Sequence, residues 1–251
     1  MSVANLLQRF YLQHSNGRLT LPDLNYLNAQ AVAREIKTGA GLSLKFALPN
    51  QDADYEYRAY HTGIVATRAD NWHDAFNALV WLNFPCSKAA LNASHLAACA
   101  EPSVQKNQRG KARDTLTQFD ECGVIVVGTS RALWQALGLH QWSDVFVAQR
   151  ANLLATTRFI VFGHGSLDAL RVPFIGLCGK AIFIQAEPSW LSAIDTGDVA
   201  PVDLALAQRV TSTNWQTEKV QPLPLLGIPG ATPENEDAAY YQDTRQFRPR
   251  R

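Results

Sequence analysis

The sequence has no apolar run near the roughly 20 residues that a membrane-spanning helix needs. It also shows no basic-then-apolar leader, because Gln8 and Arg9 interrupt Leu6 and Leu7 at once. Its four cysteines, Cys86, Cys99, Cys122 and Cys178, include no CxxC and no close pair. In a chain of 251 residues that favours reduced thiols over a disulfide framework. Neither sign of charge dominates: 23 Lys and Arg against 22 Asp and Glu leave a net charge of +1, so the broad basic footprint of a nucleic-acid binder is missing. GxSxG, HExxH, GxGxxG and P-loop signatures are absent too. The expectation is a cytoplasmic protein that works on a small molecule, with no membrane partner and no nucleic acid indicated by charge.

What is present is ordinary globular material, 47% hydrophobic and 18% charged, with no repeat, low-complexity segment or clear linker. Residues 3–13 place Leu6, Leu7, Phe10 and Tyr11 at helical spacing. Pro22-Asp23 opens a helix carrying Leu24, Leu27, Ala31 and Ile36 that ends near Gly39. Strands are expected at 42–48, 124–127, 159–162 and 181–185, with helices at 111–119, 130–137, within 142–154 and at 201–210. Residues 55–60 read as either helix or strand, and Asp198 is a candidate cap. From Gln221 the prolines and glycines are too frequent for regular structure, which makes 221–251 an extended C-terminal arm. The pattern is that of a single α/β or α+β domain, with a central helical hairpin packed on a small mixed sheet.

That hairpin is Asn71 to Trp81 followed by Ser87 to His95, broken at Phe84-Pro85, where proline stops one helix. Asp70 or Asn71 can cap its first helix and Ser87 its second. If the helices fold back on each other, His73 lies beside His95, Asn77 beside Asn92, and Trp81 beside Lys88. His73 and Asn77 share a face, as do Lys88, Asn92 and His95. Leaving such groups buried and unpaired costs about 1–3 kcal/mol each, so they form a network or hold a ligand. The plainer reading is a set of satisfied core polar residues, with Asp74 serving only the helix dipole.

Turns add further candidates: Asp120-Glu121 ahead of a strand, and His164 just beyond one. His73, His95 and His164, with a carboxylate from Asp74, Asp120 or Glu121, could hold a divalent metal ion and leave a position for water. Without a metal, a histidine can act as general base with a carboxylate orienting it. Arg68, Arg109 and Arg113 can meet a phosphate or carboxylate substrate, with Asn77, Lys88 and Asn92 as further substrate contacts. The adjacent His73-Asp74 invites comparison with the His-Asp metal phosphohydrolases, but the upstream histidine, His61, is badly spaced for it.

Thr67-Arg68, Asn71-Trp-His-Asp74, Phe76-Asn77, Trp81, Phe84-Pro85, Lys88, Asn92 and His95 together resemble a bacterial family, domain of unknown function 3025. The resemblance continues through Arg113-Asp114 and Phe119-Asp120-Glu121 to Gly163-His164, and again over Leu223 to Gly230 and Phe247-Arg-Pro249. Its pattern has a glutamate where this chain has Asp168, which keeps a carboxylate, and an arginine where this chain has Cys86. The resemblance implies a bacterial cytoplasmic protein and supplies positions rather than a reaction. Three functions compete. One is an enzyme, hydrolase-like and metal-dependent if the histidines hold a metal, acting on a small polar or phosphorylated substrate through His73, Asp74, His95, Asp120, Glu121 and His164. Another is a nucleotide- or RNA-binding module that stacks bases on Trp72 and Trp81. The third is an interaction protein that uses the C-terminal arm.

Overall fold

The computed structural model describes residues 20–50, 54–100 and 106–250. In chain order these form α1 (Leu24–Ala33), β1 (Lys45–Ala47), α2 (Tyr55–Thr62), β2 (Ile64–Ala66), α3 (Trp72–Asn83), α4 (Pro85–Ala100) and α5 (Lys106–Cys122). There follow β3 (Gly123–Gly128), α6 (Arg131–Gly138), α7 (Arg150–Thr156), β4 (Thr157–Val161), α8 (His164–Ala169) and β5 (Cys178–Gln185). The last elements are α9 (Pro188–Thr196), α10 (Ala200–Ser212) and β6 (Gln221–Pro224). Helices mixed with small sheets are what the α/β or α+β reading expects. The helix expected at 3–13 lies outside the described residues. Contacts divide the described chain into two units: 121–198 with 220–250, and 20–120 with 199–219.

The second of these carries the helical hairpin. Its small sheet pairs β1 with β2 in parallel, Phe46 opposite Val65, and parallel strands require a crossover, which α2 supplies. The helix–strand ambiguity over 55–60 resolves to helix because both ends are capped. Asp54 accepts from the Glu56 and Tyr57 amides, and Gly63 closes the helix at φ 73°, a left-handed conformation that glycine adopts without strain. Asp23 caps α1, which ends at Ala33 rather than near Gly39, and Asn28 on that helix exchanges two hydrogen bonds with the backbone of Phe46. Asn71 caps α3 by accepting from the Asp74 amide. Ser87 does not cap α4. Pro85 occupies the start of that helix, where its fixed φ suits a first turn, and Asp203 of α10 takes the orphan amides of Cys86 and Ser87 at 3.0 and 2.8 Å. The principal neighbour of α4 is accordingly α10.

The other unit is built on a mixed sheet of order β4-β3-β5-β6, with β3 and β5 parallel and both outer pairs antiparallel. The central strand β3 is buried along its whole length, which explains its uninterrupted apolar sequence. Asp120-Glu121 is not a turn: α5 runs through to Cys122 and passes directly into β3. Asp198 does not cap α10, whose N-cap position is Val199. The stretch from Gln221 is more ordered than its prolines suggest. Pro222 and Pro224 sit on the edge strand β6, where the missing N–H is tolerated. Beyond it, buried Leu225, Ile228, Tyr241 and Phe247 anchor short 3-10 turns. Asn235 fixes this arm by donating to the carbonyls of Leu226 and Ile228.

Candidate functional site

Within unit 20–120/199–219, four helices bring polar side chains to one buried cluster. From α4, Lys88, Asn92 and His95 project along a single face, since residues spaced i, i+4 and i+7 share one. From α3 comes Asn77, from α5 comes Asp120, and from the first turn of α2 come Tyr55 and Glu56.

Lys88 is the anchor. Its side chain is 3% exposed, and its ammonium donates to Asp120 Oδ1 at 2.5 Å. Its Nζ also lies 5.6 Å from the Trp81 ring centroid, within cation–π range, so the expected Trp81–Lys88 neighbourhood is present. Burial pulls the Lys88 pKa down, but Asp120, Tyr55 and Glu56 outweigh it and raise it above the usual lysine value. Lys88 therefore stays charged.

Around this ion pair the amides reach α2. Asn77 donates to the Tyr55 hydroxyl at 2.7 Å, and the Trp81 indole donates to the same oxygen at 3.4 Å. Asn92 donates to Glu56 twice, to its carbonyl at 2.9 Å and to its carboxylate at 2.6 Å. The other carboxylate oxygen of Glu56 lies 4.0 Å from His95 Nε2. Burial, reinforced by the negative charge of Asp120 and only partly offset by Lys88 and Asn92, pushes the Glu56 carboxyl up to about 7. Burial pushes Tyr55 to about 12 and pulls His95 below the ordinary histidine value. Among the described residues, the amide oxygens of Asn77 and Asn92 are buried without a hydrogen-bond partner.

Other expected residues lie apart from this cluster. Asp74 is clamped by Arg68, accepting from its backbone amide at 2.7 Å and from its guanidinium at 2.9 and 2.8 Å. Burial raises the Asp74 pKa, but these bonds together outweigh it and leave the carboxyl below its usual range. Arg68 is thereby committed to a protein carboxylate. Exposed Arg113 sits 3.6 Å from Asp54. His73, in the first turn of α3, is half-buried. His95 belongs to no group of three potential metal-ligand side chains among the described residues; its polar neighbour is Glu56. Trp81, at 1% exposure, has no face on which a base could stack.

Glu121 and His164 belong to the other unit and pair there, His164 Nε2 at 3.4 Å from Glu121 Oε1. The flanking glycines make this approach possible. A Cβ on Gly163 would lie 2.5 Å from the Glu121 carbonyl oxygen, and one on Gly165 would lie 2.5 Å from its carboxylate.

Sequence reasoning missed Tyr55 and Glu56. The available signal was Asp54 as cap and Gly63 as terminator, which together place both residues in the first turn of a helix.

No curated protein and no solved structure matches this chain. A family model does match, over residues 44–251, and it spans α2 through the C-terminal arm and so every residue of the cluster. The chain belongs to that family, described as Protein of unknown function (DUF3025).

Proposed function

We propose that the protein is an enzyme of hydrolase type acting on a small polar substrate, with Glu56 as the group that moves the proton. The observation that carries this reading is the placement of Glu56. Its carboxyl is held by Asn92 at 2.6 Å, faces His95, and titrates near neutrality beside a buried Lys88–Asp120 pair. A carboxyl so tuned is divided between acid and base at working pH, which is what general acid–base catalysis requires. In this scheme the Glu56 carboxylate takes a proton from water as its oxygen attacks an electrophilic carbon, and the resulting acid returns the proton to the leaving group. The charge of Lys88 stabilises negative charge that develops on the substrate, and Asp120 keeps the lysine in place. His95, held neutral by burial, relays protons between Glu56 and solvent. Asn77 and Asn92 orient the substrate.

A phosphorylated substrate gains little support, because Arg68 is engaged by Asp74 and Arg113 faces Asp54. The His164–Glu121 pair offers two of the ligands a divalent metal takes.

The test is a hydrolysis panel of amides, amidines, carboxylic esters and phosphoesters, read as kcat/KM against pH. The expected result is turnover that rises through about pH 7 and falls at least about a hundredfold in Glu56→Gln. Turnover unaffected by Glu56→Gln would remove Glu56 from the chemistry.

A further inference from the structure

The cluster has a deficit of two kinds. In hydrogen bonds it lacks donors: the Asn92 and Asn77 amide oxygens are 2% and 6% exposed residues' acceptors with no partner among the described residues. The orientation of Asn92 is fixed, since the Glu56 carbonyl that it meets at 2.9 Å can only accept, so the amide nitrogen must face it and the oxygen must point elsewhere. Asn77 meets a hydroxyl, which both donates and accepts, so Asn92 bears the weight of the argument. In charge the cluster lacks a cation. Lys88 and Asp120 cancel, which leaves ionised Glu56 unmatched in a largely dry setting.

We propose that this cluster binds a small planar nitrogen cation, a guanidinium or amidinium group of the substrate, whose N–H donors meet Asn92 and Asn77 while the Glu56 carboxylate matches its charge. A delocalised cation is favoured over a compact ammonium because it is more weakly hydrated and loses less on leaving water, and because its several N–H groups form a fixed planar array. The proposal rests on the acid–base reading of Glu56 and adds the substrate class to it. It also carries a proton linkage. The charged and titratable groups around Glu56 are Asp54 and Tyr55 on α2 with its cap, Lys88 and His95 on α4, and Asp120 on α5, while Arg113 of α5 pairs with Asp54 and acts on His95. Glu56 itself changes charge near neutrality, with its carboxyl at about 7, so binding a cation below that pH expels its proton and binding above it does not.

Calorimetric titration of the full chain with millimolar methylguanidinium chloride, at about pH 6 and about pH 8 in two buffers of different ionisation enthalpy, reads both effects. The expected result is saturable binding with proton release at the lower pH only, weakened at least about tenfold in Glu56→Gln and in Asn92→Leu. Circular dichroism checks that each variant folds, and the wild-type pH dependence stands if one does not. Methylammonium is expected to bind more weakly, and phosphate and acetate not at all. Absence of saturable binding, undiminished binding by folded Glu56→Gln, or binding of phosphate in place of the cations overturns the proposal. If no cation binds yet Glu56→Gln still abolishes hydrolysis, the substrate class is wrong and the acid–base reading survives.

Discussion

The side-chain nitrogen of Asn92 is bonded to one residue twice, 2.9 Å from the carbonyl oxygen of Glu56 and 2.6 Å from its carboxylate. This double grip fixes the Glu56 rotamer at the start of α2 and ties that helix to α4. Replacing Asn92 by Leu removes both bonds while keeping the volume close. It should destabilise the protein by about 1–3 kcal/mol, measured by urea denaturation.

The raised pKa of Glu56 carries a stability signature. A carboxyl with an unfolded value of 4.5 and a folded value of about 7 stabilises the fold below the lower value and loses that contribution as pH rises through the upper one. Glu56→Gln should therefore gain thermal stability relative to the parent as pH goes from about 5 to about 8, at about 2–4 °C per kcal/mol for a chain of this size. A melting-temperature difference that stays flat across this range would contradict the burial of a titrating carboxyl.

The Lys88–Asp120 pair is fully interior on the lysine side. Lys88→Met strands a buried carboxylate and should cost about 3–5 kcal/mol, as should Asp120→Leu, whereas the double variant recovers much of the loss. A double-mutant cycle in urea measures the coupling.

Asp203 caps α4 from another helix through the Cys86 and Ser87 amides and the Ser87 hydroxyl, the last at 2.6 Å. Asp203→Ala should lower stability by about 2 kcal/mol, and Asp203→Asn by less, because an amide oxygen still accepts. Chemical denaturation of the two variants separates them.

Gly163 and Gly165 should differ sharply. A Cβ at Gly163 meets backbone, 2.4 Å from the Gly123 nitrogen and 2.5 Å from the Cys122 nitrogen, which cannot yield. At Gly165 the nearest atom is the movable end of Glu121, also at 2.5 Å. Gly163→Ala should cost about 3 kcal/mol or more, whereas Gly165→Ala should fold and displace Glu121 from His164. Denaturation and the histidine ring-nitrogen NMR signals read the two effects.

Helical periodicity was enough to find Lys88, Asn92, His95 and Asn77, because spacing along a helix determines which side chains share a face. It could not say that Asn77 and Asn92 would turn to Tyr55 and Glu56 on α2, a third helix whose own pattern was ambiguous until both caps were recognised. Nor could it show that Asp74 was already committed, since the Arg68 clamp depends on the chain doubling back ahead of α3. The order within the proline-rich arm escaped for a similar reason: Asn235 and Tyr241 hold it by tertiary hydrogen bonds, which leave no periodic mark.

The central claim is tested most directly by the titration of one side chain. In protein carrying 13C-labelled glutamate carboxyls, NMR should show one signal titrating at about 7 that vanishes in Glu56→Gln. A Glu56 signal that titrates at the ordinary value near 4.5 would contradict the account.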